Sequence, residues 1–509
     1  MKCPPLPLRR IKYDKLIIEN YRSIERLEVE LSMLNALIGP NSSGKTNILK
    51  ALDLIVGTTY PSPRSFNESD FYLHDISRTI LIEVKFQSPI QYRGYGIYGF
   101  KLTFDGNDMN YVAIDDAGNT LQYSPSGKEI KVNNEMREQV SMMYLPLDRQ
   151  AYQQITPSQW KIYGKLLKHI ANRIPSDKKD NFKSGVENSF SQHIFPYVQQ
   201  AEDLLKVYVK EQTGLDLSLK LSIIDPTFVL KDVRPRITSL TGFEVDIENE
   251  GAGVQSAVAI AIARTYAEIA QKPLILAIEE PELYLHPHGC RHFYKILKEL
   301  SRKGVQVIYT THERSFVNVA DLDSILLVKK ENGGTKVYTC RESIADIDAI
   351  KTASKFDEEL NEVFFADKVI LVEGPDDKIA CKLALERLNV ELDKHNISVI
   401  DCGGNTGIKP MAEILQSFNI DTYVLMDEDP RNPKTQRLIN NLKNLLGNDR
   451  VLLQSPNLEG IFNFNQIRQD YGINRSKFTK EIALKVLPSW FENNPVPQVY
   501  KNLKNTISV

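Results

Sequence analysis

Residues 39–46 read Gly39-Pro40-Asn41-Ser42-Ser43-Gly44-Lys45-Thr46, and no other stretch of the 509-residue chain restricts its folding as tightly. The run before them, 34–38, is mostly apolar like a buried strand, and the run after them, 47–55, has helical spacing. A strand must therefore become a helix within eight residues, and the two glycines let the backbone curl so that its N–H groups converge. Such a loop cradles the β- and γ-phosphates of a nucleotide, helped by the partial positive charge of the helix N-terminus. In this reading Lys45 neutralises phosphate, the Thr46 hydroxyl ligates Mg2+, and Asn47 opens the helix beside the same ATP.

The chain on either side supplies a lobe for this loop. Residues 13–30 alternate as a hairpin does around Asn20-Tyr21-Arg22-Ser23, and Arg22 either reaches the nucleotide from that turn or stays in solvent. Residues 79–86, 95–104 and 109–114 read as strands separated by turn signals, an antiparallel sheet in which Gln87 is a structural strand end. A buried strand is expected at 143–147. From 158 to 212 the spacing is helical, with Ile162, Leu166, Leu167, Ile170 and Ile174 on one face and a break at Pro175. Leu215, Leu217, Leu219, Leu221 and Ile223 then alternate with polar residues, which predicts a return to strand.

Two later stretches complete a nucleotide-hydrolysing centre. Gly251, Gly253, Gln255 and Ser256 precede an apolar helix expected at 257–270, so free N–H groups there can meet a phosphate, on this protomer or on a second one. Residues 273–278 form a continuous apolar run that ends in Glu279-Glu280-Pro281-Glu282. Carboxylates at the end of a buried strand need a cation: Glu279 is expected on the Mg2+ side and Glu280 at the attacking water, which requires a base. A parallel strand at 305–310 brings His312 to the γ-phosphate.

From 368 onward strand and helix alternate, which predicts a second parallel sheet with its site at the carboxyl ends of the strands. Residues 368–372 end in Glu373-Gly374-Pro375-Asp376-Asp377, residues 397–400 in Asp401-Cys402-Gly403-Gly404-Asn405, and residues 421–426 in Asp427-Glu428-Asp429. Side chains two apart on a strand face the same way, so Asp427 and Asp429 are expected to share a metal with Glu373 on a neighbouring strand. Hard carboxylate oxygens select Mg2+, with Mn2+ or Ca2+ as alternatives, and two such ions can activate water and stabilise the leaving oxygen of a phosphodiester.

Composition removes other classes. A net charge of -2 excludes a generally basic nucleic-acid coat while leaving room for a local basic groove. No apolar run approaches the ~20 residues of a bilayer span and no leader of signal-peptide length is seen, so a cytoplasmic protein without a membrane partner is expected. The 5 cysteines are scattered without zinc-ligand spacing, which argues against the zinc ribbon of a primase. A topoisomerase would need a catalytic tyrosine on a further cleavage domain, for which no residues remain.

The order of phosphate loop, Gly-Gln segment, acid-ended strand and histidine resembles the ABC-type ATPases of the SMC and RecF group. By that resemblance 39–46 is the Walker A loop, 251–256 the signature segment, 274–280 the Walker B strand and His312 the switch histidine. Glu279 stands where the group usually has aspartate, and the signature lacks the usual Leu-Ser-Gly-Gly order. The C-terminal third, with Glu373-Gly374 followed by Asp427-Glu428-Asp429, resembles the Toprim fold. Joined together, and with Leu285-His286-Pro287 after Glu282, the two parts resemble the overcoming-lysogenization-defect (OLD) nucleases and the Gabija A-type proteins. The resemblance implies an α/β chain: an ABC-type ATPase in 1–155 and 215–345, a helical dimerisation insertion in 156–214, and a Rossmann-like Toprim domain in 346–509. It also implies metal ligands at Asp377 and Glu459 and an assisting lysine at Lys480, or failing that Lys477. The implied activity is an ATP-binding, metal-dependent DNA endonuclease of anti-phage defence, a homodimer or larger homo-oligomer whose cutting follows nucleotide state. A separately encoded helicase or retron reverse transcriptase is an open partner. The rival reading, a RecF-type clamp that binds DNA without cutting, has no need of Glu373, Asp427 and Asp429.

Overall fold

The computed structural model describes residues 12–140, 142–146, 155–158, 161–219, 229–230, 232–238, 242–270, 274–283, 285–340, 358–473 and 479–507. They form two compact units, one built mainly from Val56–Pro61 and Asn133–Ile278, the other from Tyr13–Ile55, Ser62–Val132 and Glu279–Val509.

The larger unit opens with the expected hairpin of β1 (Tyr13–Tyr21) and β2 (Ile24–Glu30), after which β3 (Leu34–Ile38) leads into the phosphate loop. In β2, from Leu27 on, Leu27 and Val29 are buried while Glu28 and Glu30 face water, the two-residue period that fixes register. β4 (Ile80–Tyr92), β5 (Tyr95–Phe104) and β6 (Met109–Ile114) complete an antiparallel sheet in the order β2-β1-β4-β5-β6. β4 does not stop before Gln87. A register shift between Lys85 and Ile90 carries the strand past an exposed Gln87, because a bulge inserts residues without ending the ladder.

In the smaller unit β7 (Met142–Leu145) runs parallel to β10 (Ile275–Glu279), and two short strands, β8 (Arg236–Thr238) and β9 (Glu244–Asp246), pair with each other. The helical stretch is three helices, Ile162–Arg173, Ser176–His193 and Phe195–Thr213, with Pro175 at the start of the second. The strand expected from Leu215 is not there: residues 215–219 have no regular structure and Leu215 is 68% exposed, while 220–228 lie outside the described residues. Alternation marks which side of a strand would be apolar, but only a pairing partner makes the strand. The apolar helix begins at Ala252 and runs to Ala270, so Gly253, Gln255 and Ser256 belong to its opening turns instead of preceding it.

Back in the larger unit, β11 (Gln306–Thr311) and β12 (Ile325–Glu331) flank β3 in parallel, and β13 (Gly334–Tyr338) returns antiparallel along β12. Every residue of β3 is buried, including the one polar member of its mostly apolar run, Asn35, whose amide donates to the Ser32 and Val307 carbonyls. The C-terminal sheet is parallel, with β14 (Lys368–Val372), β15 (Ile397–Asp401), β16 (Asp421–Asp427) and β17 (Val451–Gln454) in the order β15-β14-β16-β17. Helices Pro375–Arg387, Lys480–Asn493 and Gln498–Thr506 pack on this sheet through a core that includes Ala380, Leu385, Val486, Leu487 and Tyr500. The connecting helix expected over 343–360 falls largely outside the described residues.

One buried side chain fastens the antiparallel sheet to the nucleotide-bearing one. Gln306, at the start of β11, accepts from the Tyr13 N–H at 2.8 Å and donates to the Tyr13 and Ser32 carbonyls at 2.8 and 2.9 Å. A Gln306→Leu substitution removes the side-chain partner of two buried main-chain groups of Tyr13, while the Ser32 carbonyl keeps its bond from Asn35 Nδ2, and we expect it to lower the unfolding free energy by about 2 kcal/mol in urea denaturation. A change within about 0.5 kcal/mol would show that those groups find other partners.

Candidate functional sites: a phosphate loop and a carboxylate cluster

Gly39 and Gly44 have φ of +140° and +112°. A side-chain carbon on Gly39 would lie 2.1 Å from the Val328 carbonyl oxygen, and one on Gly44 would lie 2.2 Å from Thr335 Oγ1, so only glycine fits at either place. The helix Lys45–Val56 starts on the loop as expected. Lys45 is buried, its Nζ donating to the Gly39 and Pro40 carbonyls at 2.9 and 2.8 Å. Burial pulls its pKa down to about 8 against the opposing pull of Glu280 and Glu282. The Ser43 hydroxyl is buried without a hydrogen-bond partner among the described residues, while Pro40, Asn41, Ser42 and Thr46 are exposed and Asn47 donates to Ser23 Oγ at 2.8 Å. An orphaned hydroxyl and an ammonium resting on the loop's own carbonyls fit a bound phosphate.

Acids and the histidine close on the same lysine. Glu279 ends β10 and is buried. Glu280 follows at φ +41°, its N–H donating to the Thr310 carbonyl at 3.0 Å, and its carboxylate lies 3.6 Å from His312 Nε2. Burial, aided by Lys45, lowers the His312 pKa below its ordinary value, so the ring is neutral near pH 7. Glu282 was not among the expected site residues, yet its Oε1 accepts from Thr311 Oγ1 and the His312 N–H at 2.9 and 2.8 Å. Its signal was present as the third acid of Glu279-Glu280-Pro281-Glu282. Arg22 is not a free turn residue: its Nε donates to Asp70 Oδ1 at 2.8 Å. Gln255, in the smaller unit, donates to the Glu248 and Glu250 carbonyls at 3.3 and 2.9 Å, so its amide ties down the turn ahead of its own helix, where Gly253 and Ser256 stay partly exposed.

The second site lies at the carboxyl end of the parallel sheet. Glu373 Oε1 accepts from the Asp427 N–H at 2.8 Å, and Asp427 Oδ1 accepts from the Leu458 N–H at 2.9 Å. Asp377 Oδ1 accepts from Gln454 Nε2 at 2.8 Å. Burial, with Glu373 and Asp377 adding repulsion, pushes Asp427 up to about 8. Burial, with Asp376 adding repulsion, pushes Asp377 up to about 7. Glu373 is likewise raised, by burial first and then by Asp429 and Asp376.

The expectation that Asp427 and Asp429 share a strand face does not hold, because β16 ends at Asp427 and Asp429 turns away at φ +39°. The turn nevertheless keeps the Asp429 charge close enough to raise both Glu373 and Asp427. Glu459, in the helix Leu458–Ile461, acts on Asp376 instead of Asp377, and Asp401 does the same from the end of β15. Asp376 and Asp401 were overlooked: the Asp376-Asp377 doublet does not say which acid faces which neighbour. Lys480 is exposed at the start of its helix, whose buried face is Ile482, Ala483, Val486 and Leu487, and among the described residues it bonds to none of these acids. Lys477 lies outside the described residues.

Among the described residues no three Asp, Glu, His or Cys groups converge tightly enough to grip an ion as they stand. What fits a divalent cation is the chemistry of the donors: hard oxygens, partly buried, whose mutual repulsion a double positive charge relieves. The sign of the pH effect follows. Carboxyls raised in the folded state contribute stability that is complete below their ordinary range and lost as pH rises through about 7 to 8. A cation must displace those protons, so Mn2+ should raise Tm more at about pH 8.5 than at about pH 6, and Asp427→Asn should abolish the difference. An equal shift at both pH values would remove these carboxyls from the binding site.

Comparison with known proteins follows the same division. The model for an overcoming lysogenization defect protein-like TOPRIM domain matches residues 364–429, and the AAA ATPase domain matches 12–117 and 100–317. The OLD nuclease of Thermus scotoductus is 30% identical over 496 residues, covering 90% of this chain and 92% of that one. The Old nuclease of Escherichia phage P2 is 24% identical, covering 82% of this chain and 77% of its own, and the endonuclease GajA of Bacillus cereus is 22% identical, covering 90% and 81%. With an ATPase domain followed by a Toprim nuclease domain, and with that identity along nearly its whole length, the chain belongs to the OLD nuclease family.

Proposed function

We propose that nucleotide bound at residues 39–46 controls divalent-metal-dependent cutting of DNA at the Glu373, Asp377, Asp427 and Asp429 cluster, and that the activity is directed against invading DNA such as that of phage. The observation that carries this reading is the β12–β13 hairpin, which touches the supports of both sites. Toward the loop, Thr335 is 1% exposed and its Oγ1 donates to the Ser43 carbonyl at 2.9 Å and meets Ser23 Oγ at 2.8 Å. Toward the nuclease, Lys329 Nζ donates to the Asn419 carbonyl, and Asn419 Nδ2 donates to Glu331 Oε1 at 3.1 Å and Tyr338 Oη at 3.2 Å. Asn419 stands just before β16, the strand that ends in Asp427. A second link starts two residues beyond His312, where Arg314 pairs with Glu362 at 2.6 Å and Glu362 accepts from Ser398 Oγ on β15 at 3.2 Å.

In this mechanism Lys45 and the loop N–H groups hold the triphosphate, with Thr46 and Glu279 on the side of its Mg2+. The Glu280 carboxylate, oriented by its main-chain bond to Thr310, accepts a proton from water, and neutral His312 faces the same carboxylate. At the cluster, Glu373, Asp377, Asp427 and Asp429 hold Mg2+ or Mn2+, with Glu459 and Asp376 as the outer acids. The bound cation supplies a more acidic water and stabilises the leaving oxygen of the phosphodiester. Exposed Ile194, Tyr197, Leu204, Val207 and Tyr208 on and beside the helix Phe195–Thr213 support a homodimer formed through the helical insertion.

A plasmid assay with Mg2+ or Mn2+, with and without ATP, tests the reading. Asp427→Ala should lower cutting by roughly 100-fold or more while leaving ATP hydrolysis intact. Lys45→Ala should cut without responding to ATP. Asn419 has φ +52°, so Asn419→Gly keeps the backbone while removing the amide, and it should hydrolyse ATP normally yet lose most of the nucleotide effect on cutting. Full cutting by Asp427→Ala would refute the nuclease assignment, and a normal ATP response in Asn419→Gly would refute the hairpin route.

A further inference from the structure

β17 ends on Gln454, which lies opposite Asp427 in the parallel register and is completely buried. Its amide is half satisfied: Nε2 donates to Asp377 Oδ1 at 2.8 Å, whereas Oε1 is buried with no hydrogen-bond partner among the described residues. An unpaired buried carbonyl is a cost to the fold, and the sheet gives no reason to bear it, since Val451 and Leu452 of the same strand pack as ordinary apolar residues. The carboxylate cluster does give a reason. Asp377 stands among other acids, and an N–H held on Oδ1 fixes the orientation of its carboxyl. With Oδ1 engaged by Gln454, Oδ2 is on the side of Gly374, whose main-chain N–H also bonds to the Asp377 carboxyl, and lies 3.7 Å from where a side-chain carbon on that glycine would stand, next in sequence to Glu373. The main-chain carbonyl of Gln454 accepts from the Glu428 N–H at 2.9 Å, so the same residue borders the Asp427–Asp429 turn.

We infer that Gln454 is a positioning residue of the nuclease site, holding the Asp377 carboxyl turned so that Oδ2 is presented to a divalent cation. The inference rests on the reading that this cluster binds such a cation. Nothing in the spacing of the sequence marks Gln454, because its role exists only once β17 lies beside β16.

The test uses the full chain and Mn2+ alone, titrated without DNA and read by the electron paramagnetic resonance signal of free Mn2+, alongside the Mn2+ dependence of plasmid cutting. Gln454→Leu should raise the Mn2+ dissociation constant by 10- to 100-fold, the range seen when groups that orient metal ligands are removed. Cutting by the variant should recover as Mn2+ is raised, and its Tm without metal should be no lower than that of the native chain. Gln454→Met serves the same purpose should the leucine variant not fold. Unchanged Mn2+ affinity in the soluble variant, or a cutting defect that Mn2+ does not repair, overturns the inference while leaving the metal site itself standing. If the native chain binds no more Mn2+ than Asp427→Ala, the metal reading fails and Gln454 loses its role with it.

Discussion

At Gly39 a main-chain oxygen of β12 fills the volume that a side chain would need, and at Gly44 the hydroxyl of Thr335 does the same. The phosphate loop thus keeps its shape because a neighbouring hairpin crowds it. Lys45 can rest on the loop carbonyls only while that shape persists, and the acids beyond β10 are arranged around Lys45. The nucleotide centre is therefore a product of close packing between β3, β12 and β13 before it is a set of chemical groups.

At the other site the balance is electrostatic. Burial and mutual repulsion raise Glu373, Asp377 and Asp427, Asp377 to about 7 and Asp427 to about 8, and main-chain donors such as the Leu458 N–H offset only part of that. A group of acids maintained in this condition is poised to exchange protons for a cation. The same condition explains why the surrounding strands are so apolar: β14 and β16 are buried along nearly their whole length, which holds the strand ends in register and the acids out of bulk water.

Much of this was legible in the residues. Apolar or mostly apolar runs located β3, β10, β11, β14, β15 and β16, and the loop glycines and strand-end acids pointed to both candidate sites, because these signals arise from local geometry. The failures share a different origin. Leu215 begins a run that alternates like a strand, but among the described residues 215–219 pair with no strand, and Gln87 sits on a bulge that only the neighbouring strand defines. Asp429 departs from the strand face because the chain turns at that residue. Gln255 and Arg22 looked available for a ligand, yet each is occupied by a partner brought by the fold, two carbonyls in one case and Asp70 in the other. Gln454 carried no signal at all, since an amide matters here only through the acid that tertiary structure sets beside it.

The two ends of the β12–β13 hairpin differ in their exposure. Thr335 grips the loop out of contact with solvent, whereas the Asn419, Glu331 and Tyr338 contacts are open to it. Breaking the inner grip leaves donors and acceptors stranded, but water can stand in for each outer bond at little penalty. Sequence drift should consequently be tolerated at the outer end of the hairpin and resisted at the inner one.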